Sequence, residues 1–426
     1  MKKNNVYCHL GDHRVYIPVM GTAFTIDSPL KVARFGMASV VSLCDDELCE
    51  TMRAFYSKQY HLDYKAIEKD EEDARARRIT AYLNLLDFII KEQMARMKME
   101  SFSKGSELTR YFELLESSHP NALLYQDMLE ESDESQKKAL QAQLKECLVA
   151  GNIDVNIMTK LDRDNRDANN QPLPQEFSDA LAALRGFANS NVKGNIVFSA
   201  GFNRRLYAYC EQFDDFYPDK DGKLKKGIVL KVSDFRSTTI QGTFFAKKGL
   251  WVTEYRIESG LNCGGHAFAT DGLLMGPILQ QFKDQKKALC EKLFNLCQAS
   301  LEKKERQQYS SEPQSYLTFQ GGLGNTLERN MLHSHYNVDA TGWGSPFLLV
   351  PEVSVVDLET RKRLAEAREN DFYLSGISPL GVPFNTVAGT ASEAQKNERA
   401  ELGRPGSPCP KGFLKLYNTE FTKVPV

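Results

Sequence analysis

The chain has 426 residues, a formal net charge of −2 and 42% hydrophobic residues, a balance that suits a soluble globular protein with a sizeable core, built as one large domain with insertions or as two to three domains. The near-zero charge gives no electrostatic reason to expect nucleic acid. No apolar run reaches the length of a membrane span and the opening residues do not read as a signal peptide, so no membrane contact and a cytoplasmic location are expected. The nine cysteines are scattered without a C-x-x-C pair, which indicates neither a disulfide framework nor a structural zinc site.

Eight short apolar, β-branched runs follow one another along the chain: residues 16–24, 38–43, 155–161, 195–201, 228–235, 250–258, 316–321 and 338–342. Near-continuous apolar runs of this length suit parallel strands buried on both faces. Helical patterns at 28–35, 175–188, 204–211, 238–248, 274–305 and 325–335 alternate with them, and strands alternating with helices imply a parallel sheet. Eight such units predict an α/β fold, a (β/α)8 TIM barrel over residues 1–350. An open doubly wound sheet is the alternative, and the count of eight favours the barrel.

The unit between strands 2 and 3 is swollen by a largely helical insertion at residues 45–151. Within it Ile79, Leu83, Leu86, Ile90, Met94 and Met97 recur at helical spacing, as an amphipathic helix requires. Because βα loops emerge at the C-terminal mouth of a barrel, the insertion is expected to cap that mouth, and it offers a candidate surface for homo-oligomer formation. Residues 130–145 read as a solvated helix face or a loop. A C-terminal extension, residues 351–426, is expected to wrap the barrel, mostly as loop over 374–390 and 403–411.

Four motifs carry chemistry. Gln320-Gly321-Gly322-Leu323-Gly324 ends strand 7 and opens a helix at Asn325, so its backbone can approach a ligand while free N–H groups point at it. Gly342-Trp343-Gly344-Ser345 ends strand 8 and adds N–H groups and a hydroxyl. Phosphate binding after strands 7 and 8 recurs in this fold. Glu258-Ser259-Gly260-Leu261-Asn262-Cys263-Gly264-Gly265-His266 follows strand 6 and places one imidazole at the active face, making His266 a candidate general base. Cys263 lacks other signs of thiol chemistry. Lys231, central in strand 5, is too costly to bury outward and is expected to point inward, where it can stabilise an anionic flavin or a substrate enolate, or form a Schiff base. Lys160 on strand 3 is a weaker candidate of the same kind.

These residues together resemble the nitronate monooxygenase (2-nitropropane dioxygenase-like) group of FMN-dependent barrels. The matching segments are Lys231-Val232, Cys263-Gly264-Gly265-His266, Gly321-Gly322-Leu323-Gly324, Gly344-Ser345-Pro346-Phe347 and the opening Ile17-Pro18-Val19-Met20-Gly21. The resemblance implies FMN near Met20, Gly21, Thr22 and Lys231, held also by Gly264 and Gly265. It implies a phosphate on Gly321, Gly322, Gly324, Gly342, Gly344 and Ser345. It further implies that His266 abstracts a proton from a small-molecule substrate while the flavin takes electrons. The helical insertion, the long 274–305 helix, the Trp343 turn and the tail depart from the pattern. Two other functions fit the same residues: a cofactor-free aldolase or lyase using Lys231 as a Schiff base on a phosphorylated substrate, and a non-catalytic barrel acting as a binding module.

Overall fold

Alternation along each strand sorts the side chains into those that face the barrel axis and those that face the helices. The computed structural model describes residues 11–158, 162–167, 169–199, 201–258, 275–375 and 384–404. Strands β1 (Val15–Ile17), β2 (Ala38–Ser42), β3 (Ile153–Ile157), β4 (Asn195–Phe198), β5 (Gly227–Val232), β6 (Glu254–Glu258), β7 (Tyr316–Gln320) and β8 (Ala340–Gly342) pair in parallel in that order. Strand β8 pairs back onto β1, Gly342 opposite Tyr16, and closes the barrel. Each of the eight apolar runs carries one strand, so the chain is a (β/α)8 barrel.

Outward residues such as Val41, Val155, Ile196, Leu230, Ile257 and Phe319 join the main apolar core beneath the helices. Burying each of these contributes about 1.5–3 kcal/mol. Inside, Tyr16, Ala38, Val40, Val197, Val229 and Ala340 form a small separate cluster. The rest of the interior is polar, and its position along the axis defines the site described below.

The helices up to residue 355 are α1 (Ser28–Val32), α2 (Asp46–Gln59), α3 (Ala74–Met99), α4 (Glu107–Glu113), α5 (Pro120–Glu130), α6 (Glu134–Glu146), α7 (Asp179–Ala188), α8 (Arg204–Tyr209), α9 (Phe235–Ala246), α10 (Met275–Lys303) and α11 (Thr326–Ser334). The described residues up to 355 form one compact unit and those from 356 onward a second. Among the described residues no helix is long and apolar enough to cross a membrane.

The later helices of the insertion, α4–α6, do not lie over the mouth. Helix α3 takes the ring position between β2 and β3. Near its start Arg75 donates to the carbonyl oxygens of Leu43 and Asp179, and further along Gln93 donates to Leu30 O of α1. It lies so close to α7 that a Cβ on Gly186 would stand 2.8 Å from Ala76 O and from Ile79. Thr80 donates to Gly186 O across the same contact. The apolar stripe read from the sequence is the face that pays this packing back: Ile79, Leu83, Leu86 and Met97 are fully buried.

Helices α4–α6 gather their own apolar cluster, in which the rings of Phe112 and Tyr125 stack at 5.5 Å. This cluster is fastened at the entrance of the strands. The Tyr111 hydroxyl donates to Asp12, just ahead of β1, and accepts from Val149 N, just ahead of β3. Gly151 N donates to Ala33 O at 2.8 Å. Helices α4–α6 are therefore a subdomain on the opposite, N-terminal face, whereas residues 46–74 leave from and return to the end of β2. The cause is the length of α3: 26 residues carry the chain from the mouth to the far end before the extra helices begin. The polar 130–145 stretch is the solvated helix α6, with only Leu144 buried.

Three histidines at this face, His13, His119 and His333, have pKa values lowered chiefly by burial. His119 also caps α5, its Nδ1 accepting from Asn121 N at 3.1 Å, which requires the neutral ring. A histidine whose folded pKa lies below the unfolded value of about 6.5 binds fewer protons folded than unfolded, so stability rises with pH through that window and is lost on acidification. The urea midpoint is expected to fall between pH 7.5 and pH 5.5, and less so in His119→Asn, which keeps the cap. A midpoint that holds or rises over that range would contradict this.

The second unit contains α12 (Leu358–Glu366), an antiparallel pair β9 (Phe372–Ser375) and β10 (Phe384–Val387), and α13 (Ala391–Glu401). The Tyr373 hydroxyl donates to Glu393 Oε1 at 2.7 Å, and Thr390 caps α13 by accepting from Glu393 N. Part of the 374–390 segment expected as loop is thus the strand β10, where Thr386 and Val387 favour extended backbone.

Candidate active site

Lys231 points inward from the C-terminal end of β5, as the cost of outward burial required. Its side chain is 16% exposed and its Nζ donates to Glu258 Oε1 at 3.0 Å. Glu258 ends β6 and is itself largely buried. The same Oε1 accepts from Gln320 Nε2 at 2.8 Å, and Gln320 Oε1 accepts from the Tyr16 hydroxyl at 3.2 Å. Register explains the chain of contacts: Lys231 lies beside Arg256, Glu258 beside Gln320, Gln320 beside Gly342, and Gly342 beside Tyr16. Side chains from β5, β6, β7 and β1 therefore meet in one mouth-facing layer.

One layer deeper, Arg256 is fully buried. Its Nε donates to Glu254 Oε1 at 2.6 Å, a second nitrogen lies 3.6 Å from Asp154 Oδ2, and its Cζ sits 4.0 Å from the centre of the Tyr16 ring. Burial alone would push the guanidinium's pKa down. Glu254, together with Tyr16 and Asp154, outweighs that and carries it above the ordinary value. Thr318 donates to Glu254, and Asn195 donates to Asp154 through both its backbone and side-chain nitrogens. Tyr16 joins the two layers, touching Arg256 with its face and Gln320 with its hydroxyl.

The glycines expected to cradle a phosphate divide by cause. Gly321 and Gly322 have φ of +88° and +70°, a left-handed turn that favours glycine. Gly342 is required by the interior: a Cβ there would be 2.7 Å from the Tyr16 ring and 2.8 Å from Gln320 Cβ. Gly324 N donates to Glu328 Oε2 at 2.6 Å, while Asn325 caps α11 by accepting from Glu328 N at 3.0 Å. The first turn of α11 thus holds a carboxylate from its own chain. Gly344 is buried and Ser345 opens a short 3₁₀ turn on the surface.

On the far side of the barrel from β5, Gly21 has φ of +128°, and the Thr22 hydroxyl lies 3.2 Å from Cys44 Sγ, which also accepts from Ser42. Met20 packs in a satellite cluster with Ile17, Val32 and Val353. The neighbouring side chain that joins the barrel interior is Val19. His266, Gly264, Gly265, Cys263 and Lys160 lie outside the described residues.

Glu258 and Gln320 were not singled out from the sequence as site residues, although both stand inside the motifs. The signal was the alternation Glu254-Tyr255-Arg256-Ile257-Glu258, which sets three charges on one face of a strand whose other face is apolar.

No family model matches the sequence, and no curated protein does. Among solved structures, the chain is similar to nitroalkane oxidase from Streptomyces ansochromogenes, with a TM-score of 0.38 and 9% identity, over 89% of this chain and 78% of that one. It is also similar to an IMP dehydrogenase/GMP reductase-like protein from Corynebacterium glutamicum, with a TM-score of 0.33 and 12% identity, over 95% of this chain and 80% of that one. At such scores neither likeness carries an argument about function, and the fold rests on the strand topology.

The donor set can be tested against FMN. Lys231 and Gln320 suit an electron-rich ring edge at the mouth. A phosphate at Gly324 must displace Glu328, whose charge-assisted hydrogen bond contributes about 1.5–3 kcal/mol. Glu328 is half-buried on the first turn of α11, and with its carboxylate displaced the residues present fit the group at that cost.

Proposed function

We propose that this protein is an FMN-dependent oxidoreductase of the nitronate monooxygenase type, acting on a small carbon acid at the C-terminal mouth of the barrel. The observation that carries this reading is the Lys231–Glu258–Gln320 chain, which sets an oriented cation at the strand ends beside the glycine turn of β7. Bound there, FMN would supply an acceptor for the substrate's electron pair. Lys231 meets the negative charge that develops on the substrate as its proton leaves. Glu258 fixes the direction of the ammonium, and Gln320, steadied by Tyr16, fixes Glu258. The proton leaves the substrate carbon to His266, eight residues beyond Glu258 in the chain, the role the sequence resemblance assigns. That Nζ already donates to a carboxylate supports an orienting cation over a Schiff-base nucleophile.

The visible spectrum tests this. Purified protein, or protein titrated with FMN, is expected to show the absorbance of bound oxidised flavin; protein that remains colourless after titration and removal of free FMN would end the proposal. Glu328→Gln removes a like charge from the phosphate position while leaving an amide to hold Gly324. It is expected to tighten FMN about tenfold, the equivalent of about 1.4 kcal/mol. Unchanged or weaker binding would place the phosphate elsewhere.

A further inference from the structure

A cleft of about 460 Å³ opens at the other end of the barrel, between the C-terminal half of α3 and the turns that lead into β3 and β4. Its size falls in the range of small-molecule sites. It is remote from Lys231, Glu258 and Gln320, which stand at the opposite strand ends, and nothing in the proposed reaction uses it.

The lining is amphipathic. Ile90, Ile153 and Val192 form a buried apolar floor, and Met94 extends it. The rim carries three cations, Lys91, Lys98 and Lys193, against one acid, Asp87. Asp87 is committed to Lys91 at 2.5 Å, and among the described residues Lys98 has only a distant ion-pair partner, Glu146, at 3.8 Å. Lys193 makes no ion pair among the described residues. It also borders a polar cleft lined by three acids, of which Asp214 pairs with Arg306, Asp215 pairs with Lys225 and Lys226, and Asp219 accepts from the backbone nitrogens of Asp221 and Lys223. The cleft therefore has an excess of positive charge above an apolar floor, the arrangement that concentrates anions carrying an apolar body.

We propose that this cleft is a second binding site, for a single-tailed organic anion. The tail of about ten carbons lies along Ile90, Met94, Ile153 and Val192, and the head group sits between Lys98 and Lys193. A phosphate or nucleotide is disfavoured because the floor is apolar and, among the described residues, Asn152 and Asn191 are the only neutral polar side chains in the lining.

Decanoate is the probe, titrated into the full chain by calorimetry. Saturable one-site binding is expected, weakening about twofold for each methylene removed, because the cleft covers one side of the tail, so about fourfold for octanoate. Decanol, of similar length but uncharged, is expected to bind at least about tenfold more weakly, and Lys193→Glu and Lys98→Glu each to weaken decanoate by about tenfold. Both side chains are solvent-accessible, so each replacement is expected to leave the circular dichroism spectrum unchanged. The proposal is overturned by the absence of saturable binding, by equal affinity for decanol, by affinity independent of chain length, or by unchanged binding in both charge-reversed variants.

Discussion

Arg256→Met is expected to lower the stability of the barrel by about 3–5 kcal/mol, because it strands two buried carboxylates whose shared counter-charge is removed. Glu254 and Asp154 are both fully buried, and Arg256 is the cation set beside each of them. Against a total of about 5–15 kcal/mol for a typical domain, this is a large fraction. In a unit of this size it should move the thermal midpoint by about 5 °C. The companion variant Asp154→Asn/Glu254→Gln/Arg256→Met keeps hydrogen-bonding groups but no charge, and it should recover most of the loss, since a buried ion pair contributes little beyond cancelling its own desolvation. Thermal and urea unfolding of the two variants decide the matter. A single variant that loses less than about 1 kcal/mol would mean that the acids find another partner. The Tyr16 ring stacked on Arg256 links this loss to the mouth, so the single variant should also loosen Gln320 and with it Glu258.

The second large effect concerns the mouth itself. Lys231→Met should reduce kcat/KM toward a nitroalkane, followed by oxygen uptake, by about 10²–10³, the usual cost of removing one preorganised charge-stabilising group. Glu258→Gln touches the reaction through Lys231 and should cost less, about tenfold, appearing in kcat more than in KM. Because both residues act through one contact, the double variant should be no worse than Lys231→Met alone. Equal activity in all three proteins would remove Lys231 from the reacting centre. Independent, multiplying losses would show that Glu258 has a role of its own.

The barrel was legible because the signal for buried parallel strands is local and repeated. Each apolar run lies within a few residues of its strand, and the stripe from Ile79 to Met97 named the buried face of α3 correctly. The inward direction of Lys231 was legible for an energetic reason, since a cation flanked by apolar residues has only one tolerable side. The placement of the insertion was not legible. Sequence order says that α4–α6 follow β2, but which end of the barrel they reach depends on how far α3 travels before the chain turns, and on where Tyr111 finds Asp12. Residues 12 and 111 are far apart in sequence, and no local pattern ties them together.

The glycines divide in the same way. Gly321 and Gly322 were readable as a turn, and the left-handed backbone bears out the local reason for them. Gly342 looked like a second turn of the same kind, yet its missing side chain makes room for the Tyr16 ring, a neighbour brought in only by closure of β8 onto β1. Likewise Glu258 and Gln320 became partners of Lys231 only when β5, β6 and β7 took their register. Composition, periodicity and turn chemistry are properties of short stretches of chain, and they settle the eight strands, the helices between them and the inward lysine. Which polar groups meet around that lysine, and which end of the barrel the extra helices occupy, are settled by contacts between residues distant in the chain, formed only when the sheet closes.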